Sequence, residues 1–150
     1  MQDIINMKLE EYIPLKIIFN KGEEAVEHIS YSKGKTSLLE ITVGIKSKLV
    51  KKITLLLCKE YSEDMNKLVV ENFEDREIIF HSDAIECSVF KTILYSNGAR
   101  IIISDKKSFH YIKMDKVYLG LSDSDDIIEI CVCDMKFSEL EHLKKELELQ

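Results

Sequence analysis

One pattern occurs twice in this chain: an alternating apolar run, a glycine, a charged turn and a second apolar run. The first copy spans residues 38–57, and its turn region contains four lysines: Lys46, Lys48, Lys51 and Lys52. The second copy spans residues 117–132, and its turn contains three aspartates: Asp123, Asp125 and Asp126. Apolar runs separated by a short polar turn are typical of antiparallel hairpins. We therefore expect two hairpins within one antiparallel sheet.

The remaining patterns predict mostly short strands. They lie at residues 12–19, 26–31, 36–44, 49–58, 68–70, 84–95, 99–104, 109–114, 117–121 and 127–133. Pro14 has no amide hydrogen, so it indicates an edge strand or the beginning of a strand. The Asn97-Gly98 pair is a strong hairpin signal and joins the runs 84–95 and 99–104.

The end of the chain has the pattern of an amphipathic helix. Ser138 and Glu141 have the spacing of a capping box, in which each side chain binds a free backbone N–H at the helix start. One apolar stripe follows, formed by Phe137, Leu140, Leu143 and Leu147. We expect this stripe to pack on the sheet and His142 to face solvent, with an exposed partner-binding helix as the alternative.

These elements predict one domain over residues 1–150, because no Pro/Gly/Ser-rich linker interrupts the chain. The fold class is mainly β (α+β): an antiparallel meandering sheet, curled into a sandwich or a partly open barrel, with the C-terminal amphipathic helix packed on it. No apolar run approaches the roughly 20 residues that span a bilayer. The residues Met1–Met7 lack the pattern of a secretory signal, so we expect a cytoplasmic protein with no membrane partner.

The charge balance bears on the class of partner. The net charge is −6, and Arg76 and Arg100 are the only arginines. Nucleic acids need clustered cations to neutralise their phosphates, so an acidic chain is not expected to have nucleic acid as its main partner. The lysines of the first hairpin turn are a weak nucleic-acid signal, and the alternative is a solvated turn that discourages edge pairing.

The sequence predicts no metal site and no cofactor. The cysteines are Cys58, Cys87, Cys131 and Cys133, without the paired spacing of a zinc site, and we expect reduced, buried thiols. Cys131 and Cys133 lie two apart in a predicted strand, so they should share one face with Glu129. A calcium loop starting at Asp123 would need glycine and glutamate where Ile128 and Asp134 stand.

No catalytic residue can be assigned from the sequence. The run His81-Ser82-Asp83 contains the three residue types of a catalytic triad, but a triad requires convergence in space rather than adjacency in sequence. The five glycines stand alone, so no phosphate-binding loop can be formed. We expect a protein without enzymatic activity. An enzyme using Cys87, Cys131 or a histidine is the least favoured class.

Two segments are similar to parts of immunity proteins from bacterial polymorphic-toxin and contact-dependent growth inhibition systems. They are the first hairpin, Leu38 to Ile45 with Lys51 to Leu55, and the ending from Leu119 through Ile130 to Glu141. The resemblance covers about a third of the chain. It implies a cytoplasmic protein that binds a cognate toxin domain tightly and blocks its active site or substrate groove.

An acidic surface suits such a role, because a toxin that attacks nucleic acids needs a basic surface. The candidate partner-binding residues are Glu60, Glu63, Asp64, Glu71, Glu74, Asp75, Asp123, Asp125 and Asp126. The alternative for each of them is a solubilising surface. A second class of function is a small-molecule or lipid-binding protein, which requires an apolar pocket lined by several strands.

Overall fold

The computed structural model describes residues 5–78, 80 and 83–150. His81 and Ser82 of the run His81-Ser82-Asp83 therefore lie outside the described residues, as does the beginning of the Met1–Met7 segment. Strands dominate the described chain, and one helix, α1 (Phe137–Glu148), follows them. The mainly β fold class with a C-terminal helix is confirmed.

The strands form two sheets. The first sheet has the order β1-β2-β5-β4-β3-β8. Its strands are β1 (Ile5–Lys8), β2 (Leu15–Phe19), β3 (Val26–Lys33), β4 (Ser37–Gly44), β5 (Val50–Leu57) and β8 (Ala84–Glu86). The pairing is antiparallel throughout, except that β8 lies parallel to β3 at the edge. Pro14 directly precedes β2, as its missing amide hydrogen predicts.

The second sheet has the order β6-β9-β10-β13-β12-β11-β7. Its strands are β6 (Glu60–Glu63), β7 (Phe73–Glu74), β9 (Lys91–Leu94), β10 (Ala99–Ile102), β11 (His110–Met114), β12 (Val117–Leu121) and β13 (Ile127–Val132). The two edge strands, β6 and β7, each pair in parallel with their neighbours. Both sheets are therefore mixed, and neither closes into a barrel.

Four sequence predictions about the sheets were wrong. The predicted antiparallel meander is replaced by two mixed sheets, because the short edge strands β6, β7 and β8 pair in parallel with their neighbours. The two repeated hairpins, β4–β5 and β12–β13, belong to different sheets rather than to one. The run 84–95 is divided between β8 in the first sheet and β9 in the second, because the chain leaves the extended pairing after Glu86. Residues 68–70 are not a strand; they pass over the second sheet and are held there by side chains.

The repeated hairpins nevertheless share their turn chemistry. In the first, the Ser47 hydroxyl accepts the Leu49 N–H at 3.2 Å, and Lys48 has a φ of 64°. In the second, the Ser122 hydroxyl accepts the Asp126 N–H at 3.1 Å, and Asp125 has a φ of 63°. A serine that binds backbone within the turn, together with a left-handed residue, thus closes both hairpins.

One apolar core joins the two sheets and the helix. Fully buried residues from the first sheet, such as Ile17 and Ile41, belong to the same cluster as Ile101 and Leu119 from the second. Leu143 of α1 is completely buried in this cluster. The prediction that α1 packs on the sheet is therefore confirmed.

The details of α1 differ from the prediction. The helix begins at Phe137, and the Glu139 carboxylate accepts the Lys136 N–H at 2.8 Å, so the capping acid is Glu139 rather than Glu141. Phe137 is 77% exposed and does not belong to the buried stripe. His142 is half-buried, and its Nε2 lies 2.9 Å from the Ile13 carbonyl oxygen, so the solvent-facing prediction was wrong.

Between β6 and β7 the chain crosses the outer face of the second sheet. Leu68 is buried there against Cys131 and Cys133, on the face opposite to the main core. The Asn97 side chain holds the crossing: its Oδ1 accepts the Leu68 N–H at 2.7 Å, and its Nδ2 donates to the Leu68 carbonyl at 3.1 Å.

No helix in the described part of the chain is long and apolar enough to cross a membrane.

Candidate functional site

A cavity of about 370 Å³ is lined by residues from both sheets. Tyr31 of β3 and Ile85 of β8 line it from the first sheet. Ile103, which follows β10, and Ile127, the first residue of β13, line it from the second. We call this space the Tyr31 cavity. Its volume lies within the range of roughly 300–1,000 Å³ that is typical of ligand sites.

Tyr31 lines this cavity with an almost fully buried side chain that ends in a hydroxyl group. The side chain is 3% exposed, and its hydroxyl makes no hydrogen bond with any described residue. Burial raises the pKa of Tyr31, and the nearby Cys87 and Asp126, which also line the cavity, raise it further. The hydroxyl therefore stays protonated at neutral pH and can donate or accept a hydrogen bond.

Carboxylates surround the mouth of the Tyr31 cavity. They belong to Glu86, Asp105, Asp125 and Asp126. Lys106 lies among them, with its Nζ 4.0 Å from Asp126 Oδ2 and a side chain that is 63% exposed. Asp105 forms no hydrogen bond or ion pair within the described part of the chain. Carboxylates thus outnumber cations at the rim, which gives it a negative potential.

Arg76 fixes one side of this rim. Its Nη2 lies 2.9 Å from Asp125 Oδ1 and its Nη1 lies 3.3 Å from Asp125 Oδ2, which is a bidentate contact. Its Nε contacts Glu74 at the same time. Hydrogen bonds from Arg76 lower the pKa of Asp125, and His110, whose Nε2 lies 3.2 Å from Asp125 Oδ1, contributes in the same direction.

A second cavity, of about 290 Å³, lies beside the first. Ile78 lines both of them, so the two cavities share this residue as part of their walls. The second cavity is lined by Lys21, Lys48 and Lys113 as well as by Arg76 and three acidic residues. Its charges are mixed and largely balanced, which gives no preference for a ligand of either sign.

The nine predicted partner-binding residues do not form one surface. Glu60 and Glu63 lie on β6 and Asp64 follows it, whereas Glu74 is on β7. These strands are the opposite edges of the second sheet, six strand spacings apart. At about 4.8 Å per spacing this separates them by roughly 29 Å. Two of the nine meet at one point, where Arg76 joins Glu74 to Asp125.

The other predicted acidic residues have varied surroundings. Asp126 lies on the cavity rim beside Asp125, and Asp75 lines the second cavity. Asp123 is exposed in the β12–β13 turn, and Glu71 is exposed on the crossing segment. Glu63 is paired with Lys144 of α1 at 3.0 Å. The rim of the Tyr31 cavity is therefore the place where predicted residues and a concave surface coincide.

The lysines of the first hairpin are less available than the sequence indicates. Lys51 is largely buried: its Nζ donates to the Lys21 carbonyl at 2.6 Å and lies 3.0 Å from Glu24 Oε2. Glu24 Oε1 also accepts the N–H groups of Lys46 and Ser47 at 2.9 and 3.0 Å. Hydrogen bonds from Ser47, Lys51 and Lys46 lower the pKa of Glu24 to about 2. Glu24 thus holds this turn in place through contacts with Lys46, Ser47 and Lys51.

The four cysteines are free and buried, as predicted. Burial raises the pKa of each thiol above its ordinary value. Cys131 is 3.2 Å from Glu129 Oε1, so the predicted shared face with Glu129 is confirmed. At neutral pH these thiols are protonated and therefore poor nucleophiles.

Glu129 organises a polar cluster on the outer face of the second sheet. Its Oε2 accepts the Ser108 hydroxyl at 2.9 Å, and its Oε1 lies 3.1 Å from Arg100 Nε. The Nε–H is not directed at this oxygen and remains without a hydrogen bond. Gly120 makes room for the cluster, since a Cβ there would lie 2.6 Å from Ser108 Oγ and 2.7 Å from Glu129 Cγ.

No protein-family model matches the chain, and no curated protein matches it in sequence. Among the described residues, His, Cys, Asp and Glu side chains form no group of three that could hold a metal ion.

Sequence reasoning did not identify Tyr31, Glu86 or Asp105 as members of a site. Tyr31 and Glu86 are separated from the β12–β13 turn in sequence, and only the parallel pairing of β8 with β3 brings them together. Asp105 follows the strand β10 in a turn that had no distinguishing pattern. One signal was available: the turn after β10 and the β12–β13 turn lie at adjoining ends of β10 and β13, which are neighbours in the second sheet.

Proposed function

We propose that this chain is a non-enzymatic binding protein that neutralises a basic toxin domain, in the manner of bacterial immunity proteins. One observation carries the proposal: a concave site with an apolar floor and a carboxylate rim, formed by residues from both sheets. An apolar recess surrounded by polar groups is typical of the centre of a protein interface. The negative rim matches a partner with a positive surface.

The net charge of −6 supports the same function. Long-range attraction between an acidic protein and a basic partner accelerates their association and lowers the affinity when salt is added. A nuclease domain has the required positive surface because it must bind phosphates. We propose that the chain acts in the cytoplasm, where such a toxin reaches its target.

The protonated state of the four thiols favours binding over catalysis. A cysteine nucleophile needs a lowered pKa, whereas burial raises the pKa of every thiol here.

The finer architecture belongs to this proposal as well. We propose that the two sheets stack as an open sandwich. Support comes from the single core, which contains the alternate residues Ile17 and Ile53 of one sheet together with Ile101 and Ile130 of the other. An open sandwich leaves its ends uncovered, which suits the position of a cavity lined from both sheets.

A growth assay tests the proposed function. The proposal predicts that a gene beside this one encodes a large secreted protein, and the C-terminal domain of that protein is produced in the cytoplasm of a bacterial host, with or without this chain. The domain alone should arrest growth, and co-production of the chain should restore it. Equal arrest in the presence of the soluble chain would contradict the proposal.

A small-molecule binding protein is the second candidate, and the Tyr31 cavity favours it directly. The cavity has the volume of a ligand site and is lined by residues from β3, β8 and the ends of β10 and β13. A ligand that is retained during purification and identified by mass spectrometry would support this candidate.

A further inference from the structure

We infer that the Tyr31 cavity is the anchor pocket for a single arginine or lysine side chain of the protein partner. This inference rests on the proposed function, because it names the contact on which that binding depends. It commits to a cationic side chain on a folded partner rather than to a free small molecule.

The shape of the site matches such a side chain. Arginine and lysine combine an aliphatic stem with a charged end, and the stem is favourably buried along apolar surface. In the cavity, Ile85, Ile103 and Ile127 supply apolar surface, while the carboxylates lie at the rim. A stem in contact with the isoleucines therefore leaves its cationic group near acidic side chains.

The Tyr31 hydroxyl is a second and independent indication of a ligand. Arg100 Nε is the only described side-chain nitrogen or oxygen that is fully buried without a hydrogen-bond partner, so the Tyr31 hydroxyl, which makes no hydrogen bond, is open to the cavity space. Tyr31 is 97% buried, lines the cavity and makes no hydrogen bond with a described residue. An N–H of a guanidinium or ammonium group would donate to the phenol oxygen and satisfy it.

The rim selects the sign of the ligand charge. Asp105 has no partner among the described residues, and Asp126 has only Lys106 at 4.0 Å. A phosphate or a carboxylate would be repelled by these groups. A cation would instead form charge-assisted hydrogen bonds with them. The observations therefore favour a cation over an anion.

Lys106 is a cation that already lies at the rim, and it would compete with an incoming cationic side chain for Asp126. Its side chain is 63% exposed and lies at the longest ion-pair distance among those described, so the incoming cation can displace it at little cost. Replacing Lys106 with glutamine should therefore strengthen the binding of a cationic side chain, because it removes a like charge from the rim.

A peptide titration followed by NMR tests the inference. The probe is acetyl-Gly-Arg-Gly-amide, and the matched control peptide contains citrulline, which has the same shape as arginine without its charge. The arginine peptide should shift the amide signals of residues 103–106 and 125–128 in a saturable way. The citrulline peptide should bind at least about tenfold more weakly, since it lacks the charge-assisted contacts.

Variants locate the site. Asp105→Asn with Asp126→Asn should weaken the arginine peptide about tenfold or more, and Tyr31→Phe should weaken it severalfold. Glu60→Gln with Glu63→Gln, on the opposite part of the second sheet, is the matched control and should leave the affinity unchanged. Lys106→Gln should strengthen binding about two- to threefold, as expected for an exposed charge.

Several results would overturn the inference: equal binding of the citrulline peptide, signal shifts outside the cavity, or an equal loss in the Glu60/Glu63 control. Tighter binding of n-butylguanidinium than of the arginine peptide would indicate a free small-molecule ligand instead. The growth assay separates this inference from the proposed function. Growth rescue without arginine-peptide binding refutes the anchor pocket alone, and peptide binding without rescue refutes the toxin-neutralising function alone.

Discussion

Arg76 Nη2 lies 2.9 Å from Asp125 Oδ1, and this ion pair connects the segment after β7 to the β12–β13 turn. Arg76 follows Glu74 and Asp75, and Asp125 lies between Asp123 and Asp126. These two acidic segments are far apart in the sequence. Glu74 contacts the same guanidinium group, so Arg76 gathers two carboxylates that would otherwise repel each other. The pair also fixes one side of the rim of the Tyr31 cavity.

Removal of Arg76 should change the charge of the rim more than the stability of the fold. Asp125 is 37% exposed, so the ion pair contributes less than about 1 kcal/mol to the free energy of unfolding. In Arg76→Gln, the pKa of Asp125 should rise towards its ordinary value, because the hydrogen bonds that lower it are lost. Carboxyl ¹³C NMR during a pH titration measures this change, and an unaltered pKa would contradict the assigned contact.

The first hairpin turn should lose stability in acid through Glu24. Its pKa is lowered from 4.5 to about 2 in the folded protein, so its contribution is complete above pH 4.5 and disappears as the pH falls towards 2. Glu24→Gln should remove this part of the pH dependence of the unfolding free energy. Chemical denaturation between pH 2 and pH 6 measures it, with Glu23→Gln as the control. Identical pH profiles for wild type and Glu24→Gln would refute this role.

Gly98 should tolerate no side chain, because a Cβ there would lie 2.0 Å from the backbone carbonyl oxygen of Val132. Gly98→Ala should therefore destabilise the fold by about 3 kcal/mol or more. Gly120→Ala is the comparison: its Cβ meets side-chain atoms, Ser108 Oγ at 2.6 Å and Glu129 Cγ at 2.7 Å, rather than backbone, and should cost less. Thermal unfolding followed by circular dichroism compares them. A Gly98→Ala variant as stable as wild type would show that β10 and β13 are not this close.

The two ends of the apolar stripe in α1 should respond differently to truncation. Leu143 is fully buried, whereas Phe137 is 77% exposed. Leu143→Ala should lower the free energy of unfolding by about 2–5 kcal/mol, and Phe137→Ala should change it by no more than about 0.5 kcal/mol. Urea denaturation measures both values. A large effect at Phe137 would mean that this residue is buried.

The local elements were predictable because each depends on short-range patterns. Alternation identified the hairpins β4–β5 and β12–β13, and Pro14 marked the beginning of β2. The assignment of the hairpins to different sheets was not predictable, since alternation shows which face of a strand is buried but not which strand lies beside it. The short edge strands β7 and β8 have two and three residues, too few to show any period.

The candidate site was predictable only in its acidic half. Asp125 and Asp126 form a local cluster, so composition alone singled them out. Tyr31 gave no signal, because one tyrosine in a strand with alternating burial is ordinary core material. Its place in a cavity follows only from the tertiary structure, which brings β8 and the ends of β10 and β13 beside β3.

The dissociation constant of the complex with the toxin domain that the proposal predicts in a neighbouring gene tests the central claim most directly. Isothermal titration calorimetry compares wild type with two double charge reversals: Asp105→Lys/Asp126→Lys at the cavity rim and Glu60→Lys/Glu63→Lys on β6. The rim variant should bind about 100-fold more weakly, and the β6 variant should differ from wild type by less than about threefold. A rim variant that binds as tightly as wild type would contradict the account.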